Sequence, residues 1–114
     1  MGVSIEDVRR VASRLPLSHE VVVNDRVRFR VGRIVWLAFS PDAREIGLAF
    51  PKNERLALVQ GEPDVFLLPR ETDLRFNWIE VRLDSLDEER MTELVHRAWR
   101  MVVPHSVAAK HFGG

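Results

Sequence analysis

The sequence has no cysteine, which excludes a disulfide framework, thiolate metal ligands and cysteine nucleophiles. It has no surplus of either charge: seventeen basic residues balance seventeen acidic ones, where a protein dedicated to coating DNA normally carries a basic excess. No apolar run approaches the roughly 18 residues of a membrane span. The opening residues, Met1-Gly2-Val3-Ser4-Ile5-Glu6-Asp7, lack the basic and apolar regions of a signal peptide. The expectation is a cytoplasmic protein with no membrane partner. Internal repeats, low-complexity tracts and linkers are missing too. Lysine is scarce, with Lys52 and Lys110 beside fifteen arginines, a bias read as genome composition. What is present is 114 residues, 46% hydrophobic and 30% charged, the length and balance of one globular domain that buries a core without staples.

Charge is nearly flat along the chain. Residues 1–33 are net +3, residues 34–69 net −2 and residues 70–114 net −1, so only the first third leans basic.

Periodicity then sets out the elements. Ser4 and Asp7 have the spacing of a capping box, and Ile5, Val8, Val11, Ala12 and Leu15 recur at helical spacing until Pro16. Arg9, Arg10 and Arg14 fall on the outer side. Val21 to Val23 form a short strand, and Val27, Phe29 and Val31 alternate with Arg26, Arg28 and Arg30. A tight turn at Gly32 leads into a strand from Ile34 to Phe39. Ser40-Pro41-Asp42 turns the chain again, and Ile46, Leu48 and Phe50 mark the next strand. Asn53 is the expected cap of a short helix ended by Gly61. Val65-Phe66-Leu67-Leu68 between prolines reads as a short strand, and Phe76 to Leu83 as the last, with Ile79, Val81 and Leu83 on one face. Ser85 and Glu88 suggest a second capping box before a helix carrying Met91, Leu94, Val95, Ala98 and Val102. Residues 1–104 are expected to form the single domain, and residues 105–114, which show no periodicity, a loosely ordered tail. The resulting fold class is α+β: a two-layer sandwich with an antiparallel sheet and the N- and C-terminal helices packed on one face.

The first hairpin carries a register constraint. With a strictly two-residue loop and regular pairing, Phe29 lies opposite Trp36, and Val35, Leu37 and Phe39 share the solvent face with the arginines. Burying those three side chains is worth roughly 1.5–3 kcal/mol each, and a one-residue slip flips the whole set. An odd loop or a bulge is therefore expected, placing Phe29 opposite Val35. The open face would then present Arg28, Arg30 and Trp36, joined by Trp78, Glu80 and Arg82 from the last strand. Trp and Arg are frequent interface anchors. The competing reading is that loops or the tail cover both tryptophans.

Phe29-Arg30-Val31-Gly32-Arg33-Ile34 resembles the F-x-V-G-G-K-hydrophobic hairpin of the MmcQ/YjbR family. Asn77-Trp78-Ile79-Glu80-Val81-Arg82-Leu83 resembles its W-V-x-V-x-L strand. Leu15-Pro16, Leu86-Asp87 and Ala98-Trp99-Arg100-Met101-Val102 match further segments in order. The resemblance covers roughly residues 4–104. It implies a fold similar to that of frataxin (CyaY-like) and a double-wing arrangement of hairpins associated with DNA binding. It brings no catalytic residue with it. This chain has one residue fewer at the Gly-Gly-Lys turn, and Arg33 stands where the family often has lysine, keeping the charge.

Motifs for catalysis are weak. His105 and His111 lack a common helix face in this reading, His96 falls on the polar flank of the last helix, and His19-Glu20 follows a proline-ended helix as a turn. The serines lack a nucleophile-elbow context, and no phosphate-binding glycine loop exists. Asp84, Asp87, Glu88 and Glu89 suit a helix start. The expectation is a non-enzymatic binding protein with no cofactor and no metal. Two partners remain open: DNA, held by Arg28, Arg30 and Arg33 with Trp36 or Trp78 stacking on a base, or a protein or small ligand on the open sheet face, with Trp36, Trp78 and Arg82 among its anchors.

Overall fold

The structure, a computed structural model, describes residues 2–112. Helix α1 (Ile5–Ser13) starts on the expected capping box: Ser4 Oγ accepts from the Asp7 amide and Asp7 Oδ2 accepts from the Ser4 amide, at 3.2 and 2.9 Å. Val8 and Ala12 point inward. Strands β1 (Ser18–Val23) and β2 (Arg26–Val31) are joined by Asn24-Asp25, both in the left-handed region, where short polar residues supply the twist a two-residue hairpin needs. Strands β3 (Ile34–Phe39) and β4 (Glu45–Ala49), helix α2 (Lys52–Gly61), the two-residue β5 (Phe66–Leu67), β6 (Trp78–Arg82), helix α3 (Glu88–Arg100) and helix α4 (His105–His111) follow. The six strands form one antiparallel sheet in the order β1-β2-β3-β4-β6-β5. The architecture is α+β, with α1 and α3 packed together against one face.

The hairpin of β2 and β3 resolves the register differently in detail from the sequence expectation. Its loop has two residues, Gly32 and Arg33, since Val31 pairs with Ile34 and Arg30 with Val35. A bulge then makes Trp36 the extra residue, and Phe29 pairs with Leu37, not Val35. Two residues opposite one neighbour shift the pleat. Trp36 and Leu37 are consequently both fully buried, and Phe39 follows them into the core. Trp36 lies 6.2 Å from Phe29, ring to ring. Val35, ahead of the bulge, stays beside Arg30 and lines the open face. The bulge thus buries a tryptophan in place of a valine, the larger apolar gain.

Three local expectations are corrected. Helix α2 has Pro51 at its N-cap with no side-chain bond, so Asn53 is not its cap. Asp87, not Ser85, caps α3 by accepting from the Arg90 amide at 2.7 Å, while Ser85 ends a 3-10 turn. Past Pro104 the chain forms α4: Ala108 is buried, and Phe112 packs against His96 and Trp99 with ring centroids at 4.9 and 5.8 Å. Trp99 is itself fully buried, its indole N–H donating to the Pro16 carbonyl at 2.9 Å. Gly113 and Gly114 lie outside the described residues.

Candidate binding groove on the open sheet face

Pairing across five strands places Arg28, Ala38, Gly47, Glu80 and Leu67 in one row. Their neighbours Phe29, Leu37, Leu48, Ile79 and Val81 are fully or almost fully buried under the helices, so alternation turns this row to the other side. The middle of the row is small. Arg28 and Glu80 stand three strand steps apart, about 14 Å at the backbone, with only Ala38 and Gly47 between them. The result is a groove of about 870 Å³, bounded on one side by Arg26 and Arg28 and on the other by Leu67, Phe76, Trp78 and Glu80.

Gly47 explains the floor. A Cβ there would stand 2.6 Å from Cε2 and Cζ2 of Trp78, so the indole lies directly across β4 where any larger residue would lift it. A glycine inside a strand often marks such a close approach. Trp78 Nε1 donates to Glu80 Oε2 at 2.7 Å, clipping ring and carboxylate together. Burial raises the Glu80 carboxyl above its usual range; the indole bond opposes that, Glu45 and Asp73 push it further up and Arg70 draws it down.

Arg55 positions the strand that carries Trp78. It is buried, and its guanidinium donates to the carbonyls of Phe76 and Trp78 at 2.8 and 3.1 Å and to that of Leu74. These bonds tie α2 to the approach of β6. In the sequence Arg55 is one of many arginines on a short, weakly amphipathic helix, and nothing local distinguishes it.

The residues singled out from sequence separate. Arg28 is half-buried in the groove, makes no hydrogen bond or ion pair to any described residue, and has its Nε buried without a partner. Trp78 is half-buried and lines the groove. Arg30, Arg33 and Arg82 are exposed. Trp36 is in the core and available to no ligand. The bulge turns it inward, against Phe29. The histidines are dispersed. His19 is exposed, while the neighbouring Glu20 binds Arg9 of α1 at 2.7 Å. His96, expected in solvent, is half-buried, and burial followed by the charges of Arg100 and His111 lowers its pKa. Among the described residues no group of three or more His, Asp or Glu could hold a metal ion, and no helix is long and apolar enough to cross a membrane.

An antiparallel sheet with terminal helices on one face and a groove on the other defines a two-layer α+β domain with an uncovered sheet face. The chain belongs to the YjbR family, whose model matches residues 13–101. Among solved structures it is similar to the crystal structure of Deinococcus radiodurans protein DR2400, a DUF419 domain, with a TM-score of 0.76 and 21% identity over 96% of this chain and 88% of that one. At that identity the likeness speaks for the fold. None of the curated proteins matches.

Proposed function

We propose that the protein is a non-enzymatic binding module whose open-face groove takes a small organic anion, with Arg28 as the anion's partner. The observation that carries this reading is the state of Arg28: half-buried, lining the groove and without a counter-charge or hydrogen-bond acceptor among the described residues. The Nε–H of Arg28 is buried without an acceptor, a cost in free energy until one meets it, and carboxylates and phosphates match the geometry of a guanidinium edge. The groove's volume of about 870 Å³ falls in the range of small-molecule sites. Ala38, Gly47 and the ring of Trp78 supply the apolar floor such sites use.

The test is thermal denaturation against a library of small carboxylates and phosphates. A ligand present at 100 times its Kd adds about 2.7 kcal/mol to stability. A hit should stabilise wild type but neither Arg28→Gln nor Ala38→Leu, which fills the floor. No hit on wild type, or equal stabilisation of all three proteins, rejects the groove.

A second reading is favoured by Arg26, Arg30 and Arg33, exposed on β2 and its turn with no acidic partner among the described residues. These could contact DNA phosphates, as the resemblance implies, with little sequence preference. Three contacts give a log–log salt slope of roughly −2.7 on duplex DNA. Fluorescence anisotropy at two salt concentrations, with wild type and the triple alanine variant of Arg26, Arg30 and Arg33, tests it. Equal binding by both proteins, or none by wild type at low salt, removes the hairpin as a DNA site.

A further inference from the structure

The groove is polarised across its width. On the β2 side Arg26 and Arg28 line it with no ion pair to any described residue. On the β4 and β6 side it is lined by Glu45, Glu80 and Asp73, with Arg70 the basic residue there, 3.5 Å from Asp73. Glu80 uses Oε2 to accept from Trp78, and no described residue donates to its Oε1. A ligand bearing only an anion would leave the Glu80 carboxylate facing a half-dry site. A cation arriving at that carboxylate offsets the cost of its burial. Between the two poles the floor is apolar, made by Ala38 and by the Trp78 ring lying over Gly47. Extending the groove reading on which it rests, we propose that the ligand is a zwitterion of short-peptide size. Its carboxylate pairs with Arg28, its ammonium pairs with Glu80, and an apolar body crosses Ala38 and the Trp78 ring that covers Gly47.

The span suits this. The two anchoring positions are about 14 Å apart at the backbone. An extended tripeptide covers about 10 Å, leaving the remainder to the Arg and Glu side chains. The preferred side chains would be small or apolar, because the floor offers no further hydrogen-bonding side chain between the poles.

The probes are trialanine, its N-acetylated form and its C-terminal amide, titrated by calorimetry and by the fluorescence of Trp78. Trp36 and Trp99 are fully buried, so Trp78→Phe identifies the groove's share of the signal. Trialanine should bind wild type, and each capped form should bind at least about tenfold more weakly, as expected on removing one partner of a close charge pair. Amidation should cost nothing further in Arg28→Gln, and acetylation nothing further in Glu80→Gln, because each variant has already lost the partner of the group removed. Arg28→Gln melting with wild type, and Glu80→Gln melting no lower than wild type, would show that the fold is intact. Equal affinity for all three probes overturns the zwitterion while leaving an anion groove in place. No binding of trialanine at millimolar concentration also overturns it. The groove itself then stands or falls on whether a library ligand discriminates wild type from Ala38→Leu.

Discussion

On the helix-covered face of the sheet, Phe29, Leu37, Ile46, Ile79 and Val81 have no exposed surface, and Trp36 joins them through the bulge. On the opposite face the same strands present Arg28, Ala38, Gly47 and Glu80, with small residues in the middle and opposite charges at the margins. The first face has every apolar group in contact with another. The second carries Arg28, which has no partner among the described residues, and Glu80, whose carboxylate accepts from the Trp78 indole. Close packing makes the first intolerant of lost volume. The second contributes little to folding and is free to be shaped for binding. The two tryptophans show the contrast most clearly: Trp36 sits in an aromatic cluster under the helices, while Trp78 lies on a glycine with one face to the groove.

The largest expected effect breaks the packed face. Trp36→Ala should cost roughly 3–5 kcal/mol, measured as a fall in the denaturant midpoint, whereas Trp78→Ala should cost less, about 1–2 kcal/mol, because its ring is only partly buried. Similar losses at both positions would erase the distinction between the faces. Next in size is Arg55→Met, which keeps the aliphatic stem but leaves the Leu74, Phe76 and Trp78 carbonyls without their donor. Hydrogen bonds to charged groups are worth roughly 1.5–3 kcal/mol. The loss should loosen the segment before β6, so Trp78 emission should shift to the red. Unchanged emission would show that Arg55 does not position the groove.

A smaller effect concerns α4. His96 packs at a tilt against Phe112, and its pKa is lowered by burial and then by the charges of Arg100 and His111. The folded state therefore binds this proton more weakly than the unfolded chain. The contribution is fully present above the ordinary histidine range and is lost as pH falls through the lowered pKa. Melting at pH 7 and pH 5 should show a loss on acidification that His96→Gln reduces. An identical loss in the variant would assign the effect to other groups.

The smallest effect sharpens the open face. The Glu80 carboxyl is raised, chiefly by burial, so the folded state holds this proton more tightly. That contribution is present below the ordinary carboxyl range and is lost as pH rises through the raised value. Glu80→Gln keeps an oxygen to accept from the Trp78 indole and removes the charge. It should therefore melt slightly above wild type at pH 7 and converge with it in acid. A variant that melts lower at pH 7 would mean that the indole bond to the charged carboxylate outweighs its burial.

Much of the fold was legible because its signals are local. Ser4 and Asp7 cap α1 three residues apart, and the alternation in β2 and β6 divides inward from outward residues within each strand. The hairpin required one extra residue, and the apolar pattern of Val35, Leu37 and Phe39 said so. It did not say where, because the choice between Val35 and Trp36 depends on space around Phe29 and beneath α3. Asn53 and Ser85 were plausible caps by type, but Pro51 and Asp87 occupy the helix boundaries. Residues 105–112 lacked a periodic pattern of their own; Ala108 and Phe112 gain order from surfaces on α3. Gly47 carried a readable signal as a glycine within a strand. Arg55 carried none, since its three acceptors lie 19 to 23 residues away.

The sequence by itself determined the element types, the antiparallel α+β class, the terminal helices on one side of the sheet and the resemblance to the family to which the chain belongs. These follow from spacings of two and of three to four residues, which sterics and backbone hydrogen bonding impose on any chain. Only the tertiary structure decided which tryptophan is buried, that Arg28 and Glu80 share a row with two small residues between them, and that Arg55 holds the strand beneath Trp78. Those outcomes depend on register between strands and on contacts distant in sequence, where one bulged residue exchanges a surface for a core.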